Sequence, residues 1–184
     1  FVGSTIDTKA ENEETRERFL STLQYQQGIF DDPPSYEKLG ESLLTIDETL
    51  AICANKLFYL AVPPALYEII LQNLAHSGLT IPCSGETGWT RVLIEKPFGK
   101  DMETAQRLDR MLGLLFREEQ IFRIDHYLAK ESIQNILMFR FSNALFEPLW
   151  SKNHIERVEI RLWEKEGIAK RGPFYDDVGA LRDV

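Results

Sequence analysis

Three short apolar runs alternate with two amphipathic segments between residues 57 and 125, and this alternation constrains the fold more than any other feature. The runs are LFYLAV (57–62), RVLIEK (91–96) and IFRID (121–125). The first segment between them has helical spacing of its apolar residues and stops at Gly78, and Asp101 is placed to cap the second. Continuous apolar runs of this length are typical of strands buried on both faces. The order strand, helix, strand, helix, strand therefore predicts an α/β fold with a parallel, helix-covered sheet.

Further elements are predicted on both sides of this unit. The segment 9–27 has the pattern of a charged helix, the turn DDPPS ends it, and Ser35 is placed to cap a helical region that reaches about Ala54. After the third run a helix is predicted over 127–141. The strict alternation of VEIRLWE (158–164) predicts another strand.

The acidity of the chain and its few cysteines exclude several functions. The formal net charge is -8, most of it within residues 1–50, and such a balance repels nucleic-acid backbones and anionic lipid. We therefore expect no nucleic-acid and no membrane partner, and the longest apolar segment is interrupted by Pro63 and Pro64. Cys53 and Cys83 lack zinc-ligand spacing, so we expect reduced thiols in a cytosolic protein and no metal site. The start, FVGSTIDTKAEN, lacks signal-peptide features and an initiating Met, which suggests a chain cut from a longer protein.

The ends of the three predicted strands are the places to look for a ligand site, because open parallel sheets bind ligands beyond the carboxyl ends of their strands. These ends carry Pro63-Pro64, Glu95-Lys96-Pro97 and Asp125-His126. Lys96 is either a surface lysine in a turn or a member of a site that it shares with the acid and imidazole on the neighbouring strand end.

The segment RIDHYLAKE (123–131) crowds cations, anions, an imidazole and a phenol together, and both a solvated helix face and a site for an anionic, hydroxyl-rich ligand explain it. His126 and Lys130 are four residues apart, so at a helix start they project to the same side. Beside Tyr127 and the positive end of a helix they match a phosphate cradle, the alternative being a structural histidine beside an exposed lysine. Asp125 would repel a phosphate and fits better as a carboxylate that orients an imidazole base.

One more acidic residue and several absent motifs complete the pattern. Glu164 follows the apolar residues of one face of the alternating strand, where it either meets a partner or ligand or lies at a frayed end. The sequence contains no GxGxxG, no Walker A loop and no Gly-x-Ser-x-Gly elbow. Binding of a dinucleotide would therefore need a pyrophosphate loop on an earlier strand.

Taken together, these motifs resemble those of the glucose-6-phosphate dehydrogenase family. RIDHYLAKE is similar to the family signature RIDHYLGKE, with Ala129 in place of glycine, and IEKPFGKD is similar to EKPFGRD. LFYLAVPPALY, YQQGIFDDPPSYEKL and GPFYDDVGALRDV also resemble family segments, so the likeness covers nearly the whole chain. It implies that residues 1–125 are the C-terminal part of a Rossmann-like dinucleotide-binding domain. Residues 126–184 would then begin an α+β substrate-binding domain.

The resemblance also implies a reaction and a set of site residues. The reaction is oxidation of β-D-glucose 6-phosphate at C1 to 6-phosphogluconolactone, with hydride transfer to NADP, or to NAD, in the cytoplasmic pentose phosphate pathway. The full-length protein would be a homodimer or tetramer. By position, the substrate would contact His126, Tyr127, Lys130, Lys96, Glu164 and Asp183. The cofactor side would comprise Tyr67, Pro63, Pro64, Glu95, Lys96 and Pro97, the last being the family's cis proline. The catalytic residues would be Lys96 and Asp125, with Asp125 orienting a histidine base.

Two parts of the family's active site have no counterpart in the sequence. The glycine-rich loop is expected upstream of Phe1 and the catalytic histidine beyond Val184. We therefore expect the isolated chain to have little or no activity. The alternative is a non-catalytic module, derived from the same family, that binds a sugar phosphate or a partner.

Overall fold

The computed structural model describes residues 13–83 and 88–161 and the single positions 163, 167, 172, 176 and 179. Its helices are α1 (Glu13–Ser21), α2 (Pro33–Leu50), α3 (Tyr67–His76), α4 (Met102–Leu115) and α5 (Glu131–Phe141). Its strands are β1 (Lys56–Leu60), β2 (Thr90–Glu95) and β3 (Ile121–Ile124). Short 3-10 turns lie at Pro64–Leu66, Glu118–Gln120 and Glu147–Leu149. The predicted α/β order is thus confirmed.

Within the described residues, the strands form a parallel sheet with β2 at its centre. One face of this sheet is buried: Val92 and Ile94 of β2 are fully inaccessible to solvent, as is Leu71 of α3. Leu112 of α4 belongs to the same hydrophobic cluster. Each such side chain stabilises the fold by about 1.5–3 kcal/mol through removal of apolar surface from water.

The second face of the sheet is open, which corrects the prediction of strands buried on both faces. Leu57 and Tyr59 of β1 are 53% and 52% exposed, and Phe122 of β3 is 43% exposed. The reason is that α3 and α4, which connect consecutive parallel strands, contact each other and contribute to a single core. Right-handed crossovers in one direction place both helices on the same side of a sheet.

Several helix boundaries differ from the predicted ones. The first helix ends at Ser21 rather than near residue 27, and α2 ends at Leu50, where Ala51 adopts a left-handed conformation. Ser35 does not cap α2, because two prolines form its first turn and shift the cap position to Asp32. The Ser35 hydroxyl instead donates to Asp32 Oδ2 at 2.7 Å.

The capping prediction at α4 is confirmed, whereas the strand predicted near residue 160 is wrong. The backbone N–H of Thr104 donates to Asp101 Oδ1 at 2.8 Å, so Asp101 is the cap. Residues 158–161 and 163 are not in a strand, and Val158 and Ile160 are 73% and 87% exposed. No strand among the described residues lies beside them, so their backbone groups lack the ladder partners that a strand requires.

The prediction of two reduced thiols is wrong, because Cys53 and Cys83 form a disulfide with a Cα–Cα distance of 6.0 Å. Cys53 precedes β1 and Cys83 precedes β2, so the parallel pairing of these strands brings the two entry loops together. Local spacing rules do not detect a contact made in this way. Among the described residues, no helix has both the length and the apolarity needed to cross a membrane.

Candidate active site

Lys96 and Asp125 meet at the carboxyl edge of the sheet, and their contact is the centre of the candidate site. Lys96 Nζ lies 3.0 Å from Asp125 Oδ2, and the two side chains are 23% and 26% exposed. The pairing of Glu95 with Ile124 explains this contact, because the next residue of each strand then lies side by side and points the same way. The sequence prediction that these strand ends converge is confirmed.

The Asp125 carboxylate is held in its ionised form. Partial burial alone would raise the pKa of Asp125, but the hydrogen bond and charge of Lys96 outweigh it and lower the pKa below the ordinary value. The backbone N–H of Tyr127 also donates to Asp125 Oδ1, at 3.2 Å. The site therefore offers a fixed cation and a fixed anion to a ligand at neutral pH.

A second group of side chains extends over the open face of the sheet. The Tyr59 hydroxyl donates to Glu95 Oε1, and the same oxygen lies 3.5 Å from His126 Nε2. The Tyr67 hydroxyl donates to the Glu95 backbone carbonyl at 3.0 Å. The hydrogen bond to Glu95 raises the pKa of Tyr59, and burial raises the pKa of Tyr67.

Sequence reasoning did not single out Tyr59. A signal was present in the strand register, because Tyr59 pairs with Leu93 and therefore lies on the same face as Glu95, two residues along. The period-2 alternation of β1 and β2 would have placed this phenol beside the carboxylate once the two strands were aligned.

The residues predicted to cradle a phosphate lie before a helix rather than on it. The helix α5 begins at Glu131, with Lys130 at its cap position, which corrects the predicted start near residue 127. Turns with backbone bonds from Leu128 to Asp125 and from Lys130 to Tyr127 fill the interval. Lys130 Nζ lies 4.4 Å from the centre of the Tyr127 ring, whereas His126 faces Glu95. The structure thus brings Tyr127 and Lys130 together and places His126 in the other group.

The remaining predicted residues occupy different depths. Pro63 and Pro64 form the turn after β1, and the Lys96–Pro97 peptide bond is cis. Tyr67 is only 2% exposed, so its ring lies beneath the edge of the sheet rather than on it. Glu164 and Asp183 fall outside the described residues.

A further cluster lies at the amino ends of the strands. Asp47, Cys53 and Cys83 place one potential ligand atom each within 4.8 Å of one another. The two sulfurs are bonded to each other, and Lys56 Nζ lies 2.7 Å from Asp47 Oδ2. The hydrogen bond from Lys56 lowers the pKa of Asp47. In this state the cluster presents a disulfide and an ion pair, not thiolates.

Cavity size does not identify the site. An open groove of about 1180 Å³ runs past Cys83 and Trp89 at the amino edge, and one of about 380 Å³ lies between Tyr36 and Phe58. Neither contains the Lys96–Asp125 pair. The location of the titratable groups at the carboxyl edge is the better guide, since it follows from how parallel sheets bind ligands.

The parallel sheet with charged residues at its carboxyl edge is consistent with an α/β protein of the Rossmann-like class. Residues 2–135 match the family described as "Glucose-6-phosphate dehydrogenase, NAD binding domain", and residues 137–184 match "Glucose-6-phosphate dehydrogenase, C-terminal domain". The chain belongs to the glucose-6-phosphate dehydrogenase family.

Similar proteins agree with this assignment. A glucose-6-phosphate 1-dehydrogenase of Aggregatibacter actinomycetemcomitans is 45% identical over 171 residues, which are 93% of this chain and 34% of the relative. The cytoplasmic glucose-6-phosphate 1-dehydrogenase 5 of Arabidopsis thaliana is 37% identical over 190 residues, 99% of this chain and 36% of the relative. A solved glucose-6-phosphate dehydrogenase in complex with glucose-6-phosphate superposes with a TM-score of 0.79 at 33% identity, covering 98% of this chain and 36% of that one. The chain thus spans about a third of the length of the relatives that it matches.

Proposed function

We propose that the protein to which this chain contributes is a glucose-6-phosphate 1-dehydrogenase. It oxidises β-D-glucose 6-phosphate at C1 and yields 6-phosphogluconolactone. The observation that carries the proposal is the Lys96–Asp125 ion pair at the carboxyl edge of the sheet, in a chain of this family. Similarity to a structure that holds glucose-6-phosphate supports the choice of substrate.

The substrate phosphate binds to Tyr127, Lys130 and His126 in this proposal. Lys130 supplies an ammonium that lies close to the Tyr127 ring, and His126 supplies an imidazole that is well exposed. A phosphate is anionic and accepts several hydrogen bonds, so an ammonium and an imidazole N–H are suited to it. The glucose hydroxyls are assigned to Glu164 and Asp183 on the family resemblance alone.

The nicotinamide of NADP would be held at the same edge of the sheet and would supply the acceptor for the hydride released from C1. Lys96, Pro97, Pro63, Pro64 and Glu95 line this side. Tyr67 stabilises this edge from below, because its hydroxyl donates a hydrogen bond to the Glu95 backbone carbonyl. The exposed turn after β1 and the charged end of β2 lie at the carboxyl edge, where a nicotinamide ring would be close to the sugar. NADP is preferred to NAD on the family resemblance.

The chemical step relies on the two charged residues. Asp125 is ionised and still has acceptor capacity on both oxygens, so it is able to orient the histidine that takes the proton from the C1 hydroxyl. The Lys96 ammonium would contact both substrate and nicotinamide, and it would stabilise negative charge that develops on the C1 oxygen.

The cellular context is proposed from the family as well. We place the enzyme in the cytoplasm, in the pentose phosphate pathway, as a homodimer or tetramer. The name of the Arabidopsis thaliana relative, which calls that protein cytoplasmic, supports the location. Residues 1–125 then belong to the cofactor domain, and residues 126–184 begin the substrate domain.

The proposal predicts that Lys96→Ala in the full-length protein lowers kcat for NADP reduction by at least ~100-fold, because an electrostatic contact at the reacting centre is lost. Absorbance at 340 nm with glucose 6-phosphate measures this. Lys38→Ala, at an exposed lysine of α2, is the matched control and leaves the rate unchanged. A wild-type protein that binds glucose 6-phosphate without reducing NADP would instead support the non-catalytic module.

A further inference from the structure

Tyr59, Glu95 and His126, which we call the Glu95 cluster, connect the ends of all three described strands on the open face of the sheet. Glu95 is its centre: one carboxylate oxygen accepts from the Tyr59 hydroxyl and faces His126 Nε2 at 3.5 Å. The cluster lies on the opposite face from Lys96 and Asp125, because side chains alternate along each strand. Its side chains are therefore not part of the Lys96–Asp125 ion pair, although Glu95 also borders the side assigned to the nicotinamide.

The fold fixes Glu95 from two sides. Its backbone carbonyl accepts a hydrogen bond from the buried Tyr67 hydroxyl at 3.0 Å, and its side chain accepts from Tyr59. Tyr67 begins α3, whereas Tyr59 lies on β1, so two elements hold one residue of β2. The Glu95 carboxylate is therefore held in one orientation.

The position of Glu95 determines what His126 can offer a ligand. Its Nε2 faces the Glu95 carboxylate, so Nδ1 is the nitrogen left for a ligand. An imidazole ring held in one orientation presents the same nitrogen to every phosphate, whereas a freely rotating ring must first be ordered on binding, which weakens the binding.

We propose that Tyr59 is a positioning residue for recognition of the substrate phosphate, acting through Glu95 on His126. The inference rests on the function proposed above and deepens it. It attributes part of the preference for glucose 6-phosphate over free glucose to the Tyr59 hydroxyl on β1. The Tyr59 side chain is half-exposed on the open face and is not part of the hydrophobic core, so stability of the core does not account for its bond to Glu95.

The test uses the full-length enzyme that contains this segment, with kcat and KM measured for glucose 6-phosphate and for glucose at saturating NADP. Tyr59→Phe is expected to raise KM for glucose 6-phosphate about fivefold, the size of effect expected when one hydrogen bond of typical net strength is lost. The kcat for glucose 6-phosphate and the kcat/KM for glucose are expected to stay within about twofold of the wild-type values. Because glucose lacks the phosphate, its unchanged turnover also shows that the variant is folded. Tyr25→Phe, which removes a hydroxyl from a residue that is 88% exposed, is the matched control. It is expected to leave kcat and KM unchanged for both substrates.

A double-mutant cycle separates action through Glu95 from an independent effect. Glu95→Gln is expected to raise KM for glucose 6-phosphate at least as much as Tyr59→Phe, and the double variant to be no worse than Glu95→Gln alone. Equal losses for glucose and glucose 6-phosphate, or additive effects in the cycle, would overturn the inference. If the wild type is active and Tyr59→Phe has the same KM for glucose 6-phosphate, the inference is overturned while the proposed function stands. A wild type without substrate-dependent NADP reduction would overturn the proposed function, and the inference with it.

Discussion

Lys96 depends on the loop that follows it for its place beside Asp125. Two residues after the cis Lys96–Pro97 bond, the chain turns back toward the start of α4. Gly99 has a φ of +142° at this turn, and a Cβ at this position would lie 2.4 Å from the backbone nitrogen of Ala105. A residue with a side chain would therefore have to displace either the turn or the helix, and the Lys96 ammonium with them.

Gly99→Ala is expected to lower the free energy of unfolding by roughly 2–4 kcal/mol, since it combines an unfavourable φ with a backbone contact that cannot yield. Urea unfolding followed by circular dichroism measures the change. Gly113→Ala is the matched control: Gly113 lies inside α4, and a Cβ added there would meet nothing within 4 Å. The same exchange at this helical position should stabilise the fold by about 0.5–1 kcal/mol. Similar effects of both substitutions would contradict the role assigned to Gly99.

The elements that the sequence predicted best are those whose signals are local. Asp101 identified the start of α4 because a cap and its helix are adjacent in sequence, and the strand–helix alternation predicted the parallel sheet for the same reason. The disulfide, the open face of β1 and the Tyr59–Glu95 contact depend on how separate elements align, which periodicity does not contain. The predicted strand near Val158 failed because alternation indicates which face is apolar but not whether a partner strand is present.

The disulfide at the amino edge links the loops that lead into β1 and β2, across a sequence separation of 30. Closing a loop of this length lowers the entropy of the unfolded chain and stabilises the fold by about 3–4 kcal/mol in the chain-entropy model. We expect reduction with excess dithiothreitol to lower the unfolding midpoint in urea accordingly. The Cys53→Ser/Cys83→Ser variant should unfold at the reduced midpoint with or without the reductant. An oxidised wild type that unfolds at the same urea concentration as this variant would contradict the expected stabilisation.

At the scale of the molecule, the described chain is covered on one side and open on the other. The buried face of the sheet packs on α3 and α4, whereas Leu57, Tyr59 and Phe122 are exposed on the opposite face. The Glu95 cluster lies on that open face, and the Lys96–Asp125 pair lies at the carboxyl edge, where both side chains are partly exposed. Both groups of the proposed site therefore border surface that a further part of a larger protein is able to cover, which agrees with a match to about a third of each relative.

The positions of the three histidines determine whether this 184-residue chain is able to catalyse the oxidation by itself. Oxidation at C1 needs a base within hydrogen-bond reach of the hydroxyl proton. His76 ends α3, which runs back toward the amino edge of the sheet, and His154 Nδ1 lies 3.1 Å from the Ser151 hydroxyl. His126 faces Glu95 on the open side. Within the described residues, no hydrogen bond or ion pair joins any of the three imidazoles to the Asp125 carboxylate, which is proposed to orient the base.

The purified 184-residue chain is therefore expected to reduce NADP with glucose 6-phosphate at a rate indistinguishable from the blank. The site has a positioned cation and the group proposed to bind the phosphate, but the proton of the C1 hydroxyl has no positioned acceptor among the described residues. Absorbance at 340 nm gives the rate, and chemical-shift changes on titration with glucose 6-phosphate show whether the chain binds the sugar. Lys130→Ala is the control for both measurements. Substrate-dependent formation of NADPH by the chain, lost in Lys130→Ala, would contradict the prediction, because it would mean that one of these histidines or another group serves as the base.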